Sequence, residues 1–397
     1  MKNTRRWVAG WITAAALAAG VAGPAEAQTC GDGTPELGQD LCVSTPWLTM
    51  PTFTPVLTVL AADVNGDGHA DVIAVTAEFS YLRLGTGSGL GAATRRRHAG
   101  STLSDVAVGD FDGDGRPDLA LADQGQGTVL VRYNLGGAGF SPGTPFPAGP
   151  APRRVLAARM DGDARDDLVV LDAAAGTASV LLSTGAGFAA PAAYAVGDAR
   201  DIALGDSDGD ATPDLYYLTG QGVAALLNLR RNPGLGALLL EEVSPFPLFS
   251  ALYGALEPRA IVAGDLDGDA LADAVVSTTW SQLVPGTSNG NGFFFQHAYG
   301  HTWAWTENRL RTVDYDGNGT LDVAAPHVFG PQYSVAWGDG TGSFGDPTGT
   351  IAYGVELLDG LVTVPLNDVA FADLDGDGDL DVVLGTGAGV VVQRGDP

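Results

Sequence analysis

Residues 110–118 read DFDGDGRPD, with aspartate at the first, third, fifth and ninth positions. Four carboxylates in so short a run repel one another, so a folded chain keeps them together only around a cation. The alternative is disorder, and composition argues against it. The chain is 45% hydrophobic and 17% charged, enough apolar material to bury a core.

The pattern recurs as DVNGDGHAD from Asp63, RMDGDARDD from Arg159, DSDGDATPD from Asp206, DLDGDALAD from Asp265, DYDGNGTLD from Asp314 and DLDGDGDLD from Asp373. The steps between the seven copies are 47, 49, 47, 59, 49 and 59 residues, the length of one four-stranded unit. A short apolar run enters each loop, as in SDVAVGD, and another leaves it, as in DLALAD. A third run such as TVLVRYN follows, then a glycine-rich turn and a weaker proline-containing segment suited to a sheet edge. The expected fold is all-β, a seven-bladed β-propeller of four-stranded antiparallel blades. The last copy ends one strand short, and the segment Ser44–Pro55 supplies the missing length. An N-terminal outer strand is therefore expected to close the ring in the last blade, giving one propeller domain over residues 44–397.

Tandem DxDxDGxxD loops with Gly139-Phe140, Gly187-Phe188, Gly292-Phe293 and Ser343-Phe344 at matching turns resemble the FG-GAP or VCBS repeats of integrin-α-like propellers. The resemblance implies a calcium-bound propeller, usually extracellular, used in adhesion or as a non-catalytic module. It fixes no ligand.

The loop chemistry points to the same ion. Calcium takes six to eight oxygens, and side chains at positions one, three, five and nine with a carbonyl at seven supply them. The candidate ligands are Asp63, Asn65, Asp67 and Asp71; Asp110, Asp112, Asp114 and Asp118; Asp206, Asp208, Asp210 and Asp214; Asp265, Asp267, Asp269 and Asp273; Asp314, Asp316, Asn318 and Asp322; and Asp373, Asp375, Asp377 and Asp381. Copies four and five carry Ala211 and Ala270 where copies one, two, six and seven have glycine at position six, so a left-handed turn there costs roughly 1 kcal/mol and weaker binding is expected. In the third copy Arg159 replaces the first aspartate, and its guanidinium is expected to pair with Asp161, Asp163 and Asp167 in place of an ion. Six calcium sites are expected.

The N-terminus combines Lys2, Arg5 and Arg6 with an apolar stretch and Ala25-Glu26-Ala27, a signal peptide over residues 1–27. Export follows, to the periplasm, cell surface or medium, with no membrane insertion after cleavage. Residues 28–43 form an N-terminal segment in which Cys30 and Cys42 are expected to pair as a disulfide. Cleavage takes the net charge from −27 to −29 and removes Lys2, the only lysine. Such a polyanion repels nucleic acid.

Short matches such as GDSDG at Gly205 and GTGSFG at Gly340 fall in loops and turns rather than before helices, so they carry no nucleophile or phosphate site. The face opposite the calcium loops is the expected ligand face. Trp280, His301, Trp303, Trp305 and Phe329 are its candidate contacts, with added loops around Leu238–Glu257 and Gly354–Pro365. The run Arg95-Arg96-Arg97 reads as a solvated edge. The expected function is a non-catalytic binding or adhesion module for a carbohydrate or extracellular protein. The alternative is a secreted polysaccharide hydrolase or lyase using acids such as Glu307, Glu356 and Asp359.

Overall fold

The computed structural model describes residues 48–52, 54–137, 139–220, 222–228, 240–246, 257–278, 282–290, 294–296, 300–301, 309–326, 332–344, 353–357 and 366–395. The described residues contain strands, turns and no helix, so no helix among them is long and apolar enough to cross a membrane. The strands pair into seven antiparallel sheets. Numbered by their loops, sheets 1 to 7 begin with the inner strands Val56–Ala62, Leu103–Gly109, Pro152–Ala158, Asp201–Gly205, Pro258–Gly264, Arg311–Val313 and Leu366–Ala372.

Each second strand is apolar along its length because it lies mid-sheet with neighbouring sheets on both faces. All six residues of Asp71–Thr76, Asp118–Asp123, Asp167–Asp172, Asp273–Thr278 and Asp381–Thr386 are buried. The side chains of successive sheets interleave. Val64, Ile73 and Val75 of sheet 1 meet Leu103, Val106 and Leu121 of sheet 2, and comparable clusters join each later sheet to the next. A final cluster returns from Ala370, Leu374 and Val383 of sheet 7 to Val56, Val59 and Val72 of sheet 1. Face-to-face sheets whose contacts return to the first make a β-propeller.

The two ends of the chain complete one sheet. Leu48–Pro51 lies against Gly389–Gln393, from Leu48 opposite Val392 to Pro51 opposite Gly389, as the outer strand of sheet 7. This strand falls within the segment read from the sequence as the closing one.

The outer edges discourage further pairing. Thr94–Arg97 is exposed throughout and carries three arginines, and Thr144–Pro147 carries two prolines. One sequence expectation changes here, and the aromatic run after Phe293 pairs as well: it supplies edge strands of sheet 5, Phe294–Gln296 and Gly300–His301. The supposed added loops also contribute the edge strands Leu240–Phe246 and Tyr353–Leu357. Both runs have β-propensity and an unsatisfied partner strand beside them, so pairing wins over loop.

The signal peptide, residues 28–43, Cys30, Cys42, Trp280, Trp303, Trp305, Phe329, Glu307 and Asp359 lie outside the described residues. His301 is placed by its backbone opposite Gln282, at the start of the third strand of sheet 5.

Candidate metal-binding loops and the axial charge cluster

Each repeated loop joins an inner strand to the second strand, so all the loops share one face. Their aspartates organise the backbone first. In loop 2 the Asp110 carboxylate accepts the amides of Gly113, Asp114 and Gly115 at 2.8, 3.1 and 2.9 Å. Asp63, Asp206 and Asp265 do the same in loops 1, 4 and 5. Wrapping these amides around one carboxylate requires positive φ at positions four and six, supplied in loop 2 by Gly113 and Gly115 at 80° and 82°.

The position-nine aspartate is the pivot between loop and sheet. Asp118 is fully buried and accepts the Phe111 amide on one oxygen and the Asn134 amide on the other, at 2.9 and 2.7 Å. Asp71, Asp167, Asp273, Asp322 and Asp381 likewise join a loop amide to an amide at or just beyond the end of the third strand. Burial pushes these carboxyls up, to about 6 for Asp118, Asp273 and Asp381 and about 7 for Asp167 and Asp322. The amides pull the other way, and the neighbouring loop carboxylates add to the rise.

Five loops bring three carboxylates within metal-holding distance, their candidate ligand oxygens all within 4.8 Å of one another. They are Asp110, Asp112 and Asp118; Asp206, Asp208 and Asp210; Asp265, Asp267 and Asp269; Asp314, Asp316 and Asp322; and Asp373, Asp375 and Asp381. Two of these groups hold a buried oxygen with no hydrogen-bond donor, Asp314 Oδ1 and Asp375 Oδ1. A buried carboxylate oxygen aligned with two others and lacking a donor fits a hard cation. In loop 1, Asp63, Asp67 and Asp71 do not form such a group by themselves. Asn65 takes the place of the second aspartate there: its Oδ1 accepts the Asp67 amide at 2.9 Å, as Asp112 Oδ1 accepts that of Asp114 at 3.1 Å.

Loops 4 and 5 reach the same conformation without the glycine. Ala211 and Ala270 sit at φ 66° and 69°, the only non-glycine residues with positive φ among those described. The double substitution Ala211→Gly, Ala270→Gly should therefore raise stability by about 1–2 kcal/mol, since each alanine bears roughly 1 kcal/mol of left-handed strain. Urea unfolding in calcium measures the gain, and no gain at either site would show that the strain is relaxed elsewhere.

Loop 3 departs from the template. With Arg159 at position one there is no carboxylate to gather the amides, and Ala164 does not take a positive φ. The expected stand-in cation is corrected: Arg159 pairs with Asp166 Oδ1 at 3.5 Å with 60% of its side chain exposed, and the guanidinium on Asp163 is that of Arg165. Arg159 stands at the exposed start of the loop, where Asp166 is the nearer acid. Asp166 also accepts the Asp110 amide at 2.9 Å, so this loop braces its neighbour.

A second cluster lies on the inner strands and was not read from the sequence. Asp105, Arg154, Asp201, Arg309 and Asp368 each precede position one of their loop by five residues. A register shift beside Asp105, Arg154 and Asp368 re-aims these side chains. Arg154 bonds Asp201 at 2.7 Å and lies 3.6 Å from Asp105; Arg309 bonds Asp105 at 2.7 Å, and Arg311 bonds Asp368 at 2.6 Å. Each aspartate also accepts an amide from the next inner strand: Val155 to Asp105, Ile261 to Asp201 and Val59 to Asp368, each at 3.1 Å. Burial raises the Asp105 carboxyl, but Arg309 and Arg154 outweigh it and hold the group below the usual range. The signal was present as the recurring aspartate of SDVAVGD, RDIALGD and NDVAFAD.

Of the acids in the hydrolytic alternative, Glu356 lies in the edge strand Tyr353–Leu357.

Residues 63–121 and 110–170 match the family model of the FG-GAP-like repeat. No curated protein matches the chain. Among solved structures, an Agrocybe aegerita lectin described as recognising non-reducing terminal N-acetylglucosamine is 20% identical, with TM-score 0.56 over 77% of this chain and 86% of the lectin. A Burkholderia pseudomallei lectin is 17% identical, with TM-score 0.63 over 87% of this chain and 99% of the lectin. A chain from a humanized mutant of the Chaetomium thermophilum Polycomb Repressive Complex 2 is 11% identical, with TM-score 0.59 over 89% and 97% of the two chains. At these identities the likeness is one of fold.

Proposed function

Because the chain is an FG-GAP repeat β-propeller, we propose that it is an exported, calcium-stabilised, non-catalytic seven-bladed module that binds a carbohydrate through the face opposite its calcium loops. The carrying observation is the division of labour between the two faces. One is occupied by acidic loops whose side chains are already committed to their own backbone. The other opens at the axis among groups that retain hydrogen-bonding capacity.

Calcium fits loops 1, 2, 4, 5, 6 and 7. Five of them contain the convergent carboxylates, and loop 1 repeats their amide pattern with Asn65 as its middle ligand. The ion supplies positive charge that lets neighbouring carboxylates stay ionised together. The aspartates hold the loop in position for it and tie it to the second strand. Two of the similar folds are lectins, which supports carbohydrate over protein as partner. Export rests on the N-terminal basic and apolar pattern with its Ala-x-Ala end.

A glycan array probed with the mature protein, with and without calcium, tests the reading. Binding to a defined glycan class is expected in calcium. No bound glycan on a broad array, or cleavage of one, would count against a non-catalytic carbohydrate module.

A further inference from the structure

A cavity of about 580 Å³ opens on the propeller axis where the inner strands begin. Its lining includes the second-to-third turn residues Ala77 and Gln124, which places it at the end opposite the acidic loops. Its floor includes Arg154, Asp201 and Arg309, members of the buried cluster in which Arg154, Arg309 and Arg311 meet Asp105, Asp201 and Asp368, three cations against three anions. That cluster is balanced without help from the rim.

The rim is not balanced. Arg153 is exposed and has no hydrogen-bond or ion-pair partner among the described residues. Arg200 lies 3.6 Å from the half-exposed carboxylate of Glu257, which Arg259 also approaches, and donates to the Pro258 carbonyl at 3.0 Å. The charged residues lining the cavity are therefore Arg153, Arg154, Arg200 and Arg309 against Asp201, in a chain whose formal charge is −27. A local cationic surplus on a polyanion, set in a concave site with low-dielectric walls, concentrates small anions. Beside it, among the described residues, the Gln124 side chain makes no hydrogen bond, and Asn367 spends only its Nδ2 on the Val56 carbonyl, leaving its side-chain oxygen to accept. These are hydroxyl-binding groups, and the volume lies within the roughly 300–1,000 Å³ of small-molecule sites.

We propose that this axial cavity binds a saccharide of one or two rings bearing a carboxylate. The carboxylate lies against Arg153 and Arg200, whose planar guanidinium forks match it, and the sugar hydroxyls meet Gln124 and Asn367. The inference rests on the carbohydrate-binding reading and names the ligand class of that face.

Isothermal titration of the calcium-loaded mature protein with digalacturonate, its methyl ester, inorganic phosphate and an Asp-Asp dipeptide tests it. Digalacturonate should bind, with at least about tenfold weaker binding for the ester and for Arg153→Gln, in line with the loss of one charge-assisted contact. Arg97→Gln, on the outer edge of sheet 1, should bind as the parent does, and both variants should keep its melting temperature. Equal affinity for the ester, undiminished binding by Arg153→Gln, or phosphate or dipeptide binding as tightly as digalacturonate would overturn the proposal. If a neutral glycan from the array binds Arg153→Gln unchanged while digalacturonate does not bind the parent, the cavity assignment falls and the lectin-like reading stands. If no glycan binds at all, both fall.

Discussion

Chelating calcium should lower the melting temperature of the mature protein by about 10 °C. The estimate follows from mass action. With calcium about tenfold above a dissociation constant typical of extracellular modules, each site adds roughly 1.4 kcal/mol, or about 8 kcal/mol for six sites. An unfolding entropy of about 2 cal/mol/K per residue over some 350 residues converts this to the stated shift. Scanning calorimetry with calcium and with EDTA measures it, and superimposed transitions would sink the calcium assignment.

The same experiment has a pH signature. Without calcium, burial pushes the folded-state carboxyls of Asp118, Asp273 and Asp381 up to about 6 and those of Asp167 and Asp322 up to about 7, above their unfolded values. Between those limits the folded state binds more protons, so stability falls as pH rises. In EDTA the midpoint should therefore climb as pH is lowered from 8 toward 5.5. In calcium that trend should weaken or reverse, because the ion needs the ionised ligands.

Replacing Asp368 with alanine should cost about 3–5 kcal/mol, the usual penalty for leaving buried charge without its partner. Asp368 is fully buried, bonds Arg311 and accepts from the Thr58 hydroxyl and the Val59 amide of sheet 1. Its loss strands a guanidinium and two donors where sheet 7 meets sheet 1. Urea unfolding at fixed calcium reads the change, and a loss below about 1 kcal/mol would mean that water replaces the carboxylate without penalty. Replacing the entire cluster with apolar residues of similar volume leaves no charge stranded and is expected to be near neutral.

The repeat made much of the architecture legible. Seven aspartate loops at near-constant spacing counted the sheets, and the strand missing after Gln393 pointed to Leu48–Pro51. The left-handed turns at Ala211 and Ala270 followed from the glycine their relatives carry at position six. Arg159 was misjudged because charge alone does not say which acid lies within reach; a position at the exposed loop entry favours Asp166. The axial cluster was missed for a different reason. Its members come from five different repeats and look like ordinary polar positions beside apolar strands until ring closure brings the inner strands side by side. The rim surplus at Arg153 and Arg200 was hidden in the same way, since only the axis unites them.

Native mass spectrometry of the mature protein, exchanged into dilute calcium, tests the central claim most directly. Six bound calcium ions are expected, falling to five when Asp110 and Asp114 are both replaced by asparagine and remaining six when Asp163 is. No bound ions, or a seventh ion lost with Asp163, would contradict the account.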